Sequence, residues 1–497
     1  MFPYKTSFKI DRKNKQPLYL QIANQFIELI KAKKLVPKTK LPGSRVLSDL
    51  LNVHRKTIVA CYEELLLQGW VESFPKKGTF VNANLPELQQ QEFLNKIDFK
   101  SEPIIGFQFY KNKFISKKTT AQFDDVIYLN DGISDARLTP TEDLARIYRR
   151  ICGRKRIYKE MTYGSPFGNL KLRETLVAYL NKTRGLNINL ENILITRGSQ
   201  MGIYLSSKLL LKEGDYIIVG DTNYSSADTA FLVQKANLLR ISVDENGLVT
   251  DEIESLCKEK SINAVYVTSH HHHPTTVTLS AERRIHLLNL AKKYNFAIIE
   301  DDYDYDFNYN HSPILPLSSH DTNGNVVYIG SVCKTVAPVF RIGYLIAPKE
   351  FVVEAANQRR FIDRQGDALL ELTFEEFIKS GDLDRHIKKV MRVYQYRRDL
   401  FCSLLNEKFH DIFSFNIPLG GMAVWVKLNR MYSWASFSKS ARKYKLEIGE
   451  WERYDIANRN HNCIRIGFAT YNEEEIHELI SRFESTIVEL KNLEKSF

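Results

Sequence analysis

Five short apolar runs in this 497-residue chain each end in polar residues able to do chemistry. Residues 326–329 (VVYI) lead to Ser331, Lys334 and Arg341, and residues 296–299 (FAII) lead to Glu300, Asp301, Asp302 and Tyr303. Residues 192–195 (NILI) lead through Gly198 to Ser199 and Gln200, 216–219 (YIIV) to Tyr224, and 264–267 (AVYV) to the histidine run His270 to His273. A lysine amine can condense with a carbonyl carbon, and a carboxylate at a buried strand end can hold a proton on a ring nitrogen. Backbone N–H groups at the opening of a helix receive phosphate.

The β-branched runs alternate with helical patterns, which predicts an α/β body with a mainly parallel sheet between helices. In such a sheet ligands sit beyond the carboxyl ends of the strands, so these residues converge. Ser199 and Gln200 would open a helix, and Tyr224 offers an aromatic face. Lysine, acid, phosphate cradle and aromatic plate together are what pyridoxal phosphate requires. The run 270–273 (HHHH) suggests a metal by residue type alone. Four consecutive residues on a short loop cannot all face one ion, so no metal site is expected.

Composition sets the frame. The chain has 43% hydrophobic and 26% charged residues and no apolar run long enough for a membrane span, which reads as a cytoplasmic multidomain protein. Six cysteines without a CxxC pair are read as reduced, mostly buried thiols. The net charge is +11, and residues 1–81 alone carry 15 Lys+Arg against 6 Asp+Glu, a net of +9. A basic head on a nearly neutral body is the electrostatic footprint of nucleic-acid binding.

Within that head, 18–30 reads as an amphipathic helix with Leu18, Ile22, Phe26, Leu29 and Ile30 inward. Ser44 is expected to cap a second helix over 45–51 with Val46, Leu50 and Leu51 inward. A third helix over 55–68 would bury Ile58, Val59, Tyr62, Leu65 and Leu66, its start exposing His54, Arg55, Lys56 and Thr57 to a major groove. Residues 70–81 read as a hairpin with a basic tip at Lys76 and Lys77, a wing. Residues 82–124 are Gln-, Asn- and Lys-rich without sustained period and read as a linker, from which residues 104–107 (IIGF) could dock.

The segments 18–21 (LYLQ), 41–45 (LPGSR), 53–58 (VHRKTI) and 78–81 (GTFV) resemble the winged helix-turn-helix of GntR-type regulators. That likeness implies contact with double-stranded operator DNA through Arg45, Arg55, Lys56, Thr57 and Lys77. The body, at 163–168 (YGSPFG), 300–304 (EDDYD), 331–344, 381–387 (GDLDRHI) and 464–469 (IRIGFA), resembles fold type I, aspartate aminotransferase-like enzymes. With the head in front, the whole is similar to the MocR/GabR subfamily. Residues 1–81 would be the head, 82–124 the linker and 125–497 the body, its large part about 160–345 and its small part about 346–497.

Carried over residue by residue, the resemblance makes Lys334 the aldimine lysine, Asp301 the partner of the pyridine nitrogen and Tyr303 the donor to the ring hydroxyl. Ser199, Gln200, Ser331 and Arg341 would hold the phosphate, with Tyr163 reaching it from the neighbouring subunit. Tyr224 would lie against the ring, His271 and His273 would line the site, and Arg465 would grip a ligand carboxylate. Departures at 274–276 (PTT), 220–224 (GDTNY) and Ser165 bear on pocket shape. The implied function is a pyridoxal-phosphate-dependent regulator, a homodimer whose heads are often swapped, sensing an amino compound by aldimine exchange. The alternatives are a working aminotransferase that carries a DNA-binding head, and a body that only dimerises the head.

Overall fold

A computed structural model describes residues 2–85, 105–115, 125–309, 314–332, 334–449 and 451–494, with the side chains of the last two left aside. The chain divides into two compact units, Met1–Phe109 and Tyr110–Phe497.

The first unit has helices Leu18–Lys31, Ser44–Leu51 and Arg55–Leu67, followed by strands Val71–Phe74 and Gly78–Val81. The two strands pair antiparallel from Val71 opposite Val81 to Phe74 opposite Gly78, with Lys76 and Gly78 in the left-handed region at the tip. The core is Ile22, Phe26, Leu47, Ile58, Cys61 and Leu65, with Phe26 packed on Phe8 and Tyr62. Two sequence expectations change here. In the second helix Leu47 and Leu51 face inward, while Val46 is 56% exposed and Leu50 is exposed. The helix begins one residue early, with Gly43 as its cap and no side-chain cap from Ser44, and the inward stripe rotates accordingly. In the third helix Cys61 takes the inward place expected of Val59, and Val59 and Leu66 lie outside. Of the linker, 86–104 and 116–124, including Ile104, lie outside the described residues, and Ile105 and Phe107 are exposed rather than docked.

The second unit is built on a seven-stranded sheet in the order Ile193–Thr196, Gly343–Ile346, Val326–Ser331, Ala297–Asp302, Ile262–Val267, Tyr216–Gly220, Asn237–Ile241. All neighbours run parallel except Gly343–Ile346, which is antiparallel to the strand on each side. Side chains alternate between two buried faces, which is why these strands are continuously apolar. Ile195, Ile218, Val265 and Ile298 share one core with helices Leu170–Arg184, Ala281–Tyr294 and Ala368–Lys379. Ile217, Val219, Ala264 and Ile299 face the opposite way, toward helices Ser199–Leu210 and Ser225–Val233. Helix Lys349–Ile362 packs Val352, Ala355 and Ala356 on this same sheet, against Leu194 and Leu345.

A further core forms around a three-stranded antiparallel sheet, Phe413–Phe415, Ala423–Leu428 and Cys463–Gly467, with the far half of helix Asp382–Phe409 and helices Trp434–Ala441 and Glu473–Glu494. It takes in Ile127, Leu129 and Leu138 from the start of the unit, where Ile127–Tyr128 pairs in parallel with Leu446–Glu447. Cys61, Cys402 and Cys463 are buried free thiols, Cys257 is half-buried and Cys152 is exposed; Cys333 lies outside the described residues.

Candidate functional site

The acidic segment 300–302 is part of its strand rather than the loop after it: Ala297–Asp302 runs through all three acids. The pleat therefore sorts them. Glu300 is buried and accepts from Ser269 Oγ and from the backbone N–H groups of Leu317 and Ser318. Asp302 accepts from Tyr328 Oη at 2.6 Å and lies 3.1 Å from His270 Nδ1. Asp301 points the other way, into a cavity of about 100 Å³ lined by Asp131, Ser199, Tyr224, Tyr266, His273, Asp301, Tyr303 and Lys334. Tyr266 Oη donates to Asp301 Oδ2 at 2.8 Å, and Asp301 Oδ1 is buried without a hydrogen-bond partner. Burial pushes the Asp301 carboxyl up to about 7.

Opposite it, Lys334 Nζ donates to the carbonyl of Gly132 at 2.5 Å. Burial lowers the Lys334 amine below its ordinary range, with Asp131 opposing the shift. The loop carrying Lys334 is tied down by neighbours: His386 Nε2 bonds to the Thr335 carbonyl at 2.9 Å, and Thr335 Oγ1 donates to Asp306. Tyr303 Oη donates to the His271 carbonyl at 3.1 Å and accepts from Arg465 Nη2 at 3.2 Å. The Tyr224 ring stands edge-on to His273 with centroids 5.0 Å apart.

An anion cradle adjoins the cavity. Gly198 caps helix Ser199–Leu210 at φ 73° and ψ 176°, a conformation open in practice only to glycine. A side chain there would also meet the Arg341 guanidinium at 2.9 Å, and one at Gly343 would strike the Gly198 backbone at 2.7 Å. The two glycines thus let Arg341, whose Nη2 donates to the Arg197 carbonyl, lie across the first turn of a helix whose N–H groups face outward. Ser331 Oγ donates to the Ile342 carbonyl at the end of the neighbouring strand, and Gln200 Nε2 reaches the Ser226 carbonyl at 3.4 Å.

The four histidines have separate partners. His270 pairs with Asp302, His271 Nδ1 with Asp304 at 2.9 Å, His272 with Thr275, and His273 Nε2 lies 3.4 Å from Asp131 Oδ2. Of the two expected at the site, His273 lines the cavity, while His271 stands behind it and supplies a carbonyl. Burial lowers His273 to about 4, so it is a neutral imidazole at pH 7. Tyr163 lies outside the cavity, 79% exposed, with Arg364 over its ring at 4.0 Å.

Sequence reading missed Asp131, Tyr266 and Arg453. Asp131 and Arg453 follow none of the five apolar runs, and Tyr266 lies within one of them. Burial would raise the Asp131 carboxyl, but the hydrogen bond with His273 and the charges of Lys334 and Arg453 hold it well below the usual range. Arg465 is buried, donating to the carbonyls of Asp131 at 2.7 Å and Pro274 at 3.1 Å.

In the first unit, Arg45, Arg55, Lys56 and Lys77 are exposed and Thr57 is half-buried. His54 Nδ1 accepts from the Lys56 N–H and caps the helix that begins at Arg55, and Arg55 Nε reaches Ser44 Oγ at 3.3 Å.

Residues 137–483 match the family model for aminotransferase class I and II. The chain belongs to this aminotransferase family. Its head, residues 18–81, matches the gntR family of bacterial regulatory proteins. Two relatives align across head and body. The uncharacterized HTH-type transcriptional regulator YdfD of Bacillus subtilis is 27% identical over 97% of this chain and 99% of its own length. The probable rhizopine catabolism regulatory protein MocR of Rhizobium meliloti is 23% identical over 97% and 96%. Among solved structures, the multiple substrate aminotransferase of Thermococcus profundus superposes with a TM-score of 0.70 at 28% identity, covering 75% of this chain and 93% of that one.

The cofactor of this class I and II aminotransferase body is pyridoxal phosphate, and the residues fit it. Among the described residues one buried Asp301 oxygen has no partner and could accept from a ring nitrogen, Lys334 lining the same cavity could supply the amine, and the glycine-lined helix start at Ser199 with Arg341 could take a phosphate.

Proposed function

We propose that this protein is a cytoplasmic, homodimeric transcriptional regulator whose head reads operator DNA and whose aminotransferase-type body senses an amino compound through pyridoxal phosphate. The observation that carries this reading is the cavity in which Lys334 and the unpartnered oxygen of Asp301 face one space, in a chain that also bears a helix-turn-helix head. The proposed division is a head at 1–81, a connector at 82–124 and a body at 125–497.

Bound pyridoxal phosphate supplies a carbonyl carbon that condenses with amines and a ring that draws electrons from it. The residues of this chain do the rest. Lys334 presents its amine, and its lowered pKa raises the neutral, nucleophilic fraction. Asp301 holds the proton on the ring nitrogen, and Tyr303 donates to the ring hydroxyl. Ser199, Gln200, Ser331 and Arg341 receive the phosphate, joined by the partner subunit's Tyr163. Tyr224 covers the ring face, with His273 in the wall and His271 behind it. Arg465 takes the carboxylate of the incoming compound. In the head, Arg55, Lys56 and Thr57 enter the major groove, with Arg45 and Lys77 on the flanking backbone.

The test is the visible absorption spectrum of the protein loaded with pyridoxal phosphate, titrated with amino acids and followed for released keto acid. A band that shifts with an amine without sustained keto-acid production is expected, and steady turnover would replace the sensor by an enzyme. Lys334→Ala should abolish the visible band while operator binding at low salt persists; an unchanged spectrum would remove Lys334 from this role.

A further inference from the structure

The site holds two arginines with opposite circumstances. Arg465 is buried, and its described hydrogen bonds go to two backbone carbonyls and the Tyr303 hydroxyl. Among the described residues no carboxylate lies within ion-pair distance of it. Arg453 Nη2, by contrast, lies 3.2 Å from Asp131 Oδ2, on a carboxylate that also faces His273 and lines the cavity with Lys334. The two guanidiniums meet at one residue, since Arg465 binds the backbone carbonyl of Asp131 while Arg453 binds its side chain.

We infer that Asp131 is a specificity-determining residue that occupies Arg453 from within the protein, standing in for the second carboxylate of a ligand, so that the site takes amino compounds with a single carboxylate and disfavours dicarboxylic ones. This rests on the sensor reading, in which Arg465 receives the ligand carboxylate. A buried guanidinium without an acidic partner suits one anion, and the other guanidinium, Arg453, is already matched by Asp131. A second ligand carboxylate would instead meet Asp131, whose charge is fixed by its neighbours, and like charges brought together in a desolvated site cost several kcal/mol. The neutral imidazole of His273 does not relieve this, because it contributes a hydrogen bond and no charge.

L-glutamine and L-glutamate differ by one charge at nearly equal size and are the probes. The full-length protein loaded with pyridoxal phosphate is titrated with each, and binding is read from the absorbance shift and from the rise in melting temperature. Glutamine is expected to bind about tenfold or more tighter than glutamate. Asp131→Asn removes the carboxylate and releases Arg453 from it, so the ratio should fall by about tenfold or invert, whereas Asp131→Glu, which keeps the charge, should retain the wild-type preference. Tighter binding of glutamate by the wild type, or a ratio unmoved by Asp131→Asn in a protein that still binds both, would overturn the assignment of Asp131 alone. Silence toward both amino acids would overturn the sensor reading and this inference with it.

Discussion

Asp301 is an acid kept from water with one oxygen bonded to Tyr266 and the other without a partner among the described residues, and its consequence is measurable without cofactor. Its folded pKa of about 7 stands above the ordinary 3.8. Between those values the unfolded chain has released a proton that the folded chain retains, so stability falls as pH rises through that window and the full penalty is present above it. In the cofactor-free protein, Asp301→Asn should therefore be stabilising relative to wild type by about 2 kcal/mol more at pH 8 than at pH 5, measured by thermal melts. Equal gaps at the two pH values would show that the carboxyl is not held out of water as described. The segment 300–302 displays what a sequence reveals at this scale. Residue types point only to a cluster of three acids and the resemblance picks out Asp301 among them, whereas the sorting of those acids onto two faces depends on the strand continuing to Asp302. Asp131 carries no such signal, because it acquires its partners only from His273 and Arg453, far along the chain.

The proposed phosphate cradle belongs to a helix start and two glycines rather than to any one side chain. Gly198→Ala would force a side chain into a glycine-only conformation and against Arg341, at a cost of about 1–3 kcal/mol. The variant should bind pyridoxal phosphate at least about tenfold more weakly while its weaker affinity for unphosphorylated pyridoxal changes little, since only the charge-assisted bonds to phosphate are lost. A parallel loss for both compounds would place the damage elsewhere. In the head, the helix Ser44–Leu51 offers a second element-scale test. Leu47→Ala should destabilise the head by about 2–5 kcal/mol, whereas Val46→Ala should leave it nearly unchanged, as followed by DNA binding of the full chain against temperature. The helices and the wing were legible from period and residue type. The phase of a two-turn helix was not, because an eight-residue segment with two adjacent apolar pairs, Val46-Leu47 and Leu50-Leu51, fits more than one stripe, and packing in the core with Phe26 and Ile58 selects Leu47.

The molecule joins a reader and a sensor in two units, and their functions should separate cleanly under mutation. Arg55→Ala with Lys56→Ala is expected to weaken operator binding and flatten its salt dependence by about two counterions, with the cofactor spectrum unchanged. Operator affinity surviving that pair in an electrophoretic shift would remove the helix beginning at Arg55 from the groove. The alternation of strands and helices made the sheet legible, but not the way the body's beginning folds into its far end, since no local pattern in 125–138 names a partner more than 300 residues away. Yet that closure makes the site. Ile127–Tyr128 pairs with Leu446–Glu447, the Gly467 N–H bonds the Asn130 carbonyl, and Asp131 and Gly132 are thereby set between Lys334 and Arg465. On the ribosome the head emerges first and can fold first, while the wall formed by residues 130–132 has nothing to close against until residue 467 has been made. On the proposed reading, a chain interrupted before residue 467 would carry a complete reader with no means of hearing its signal.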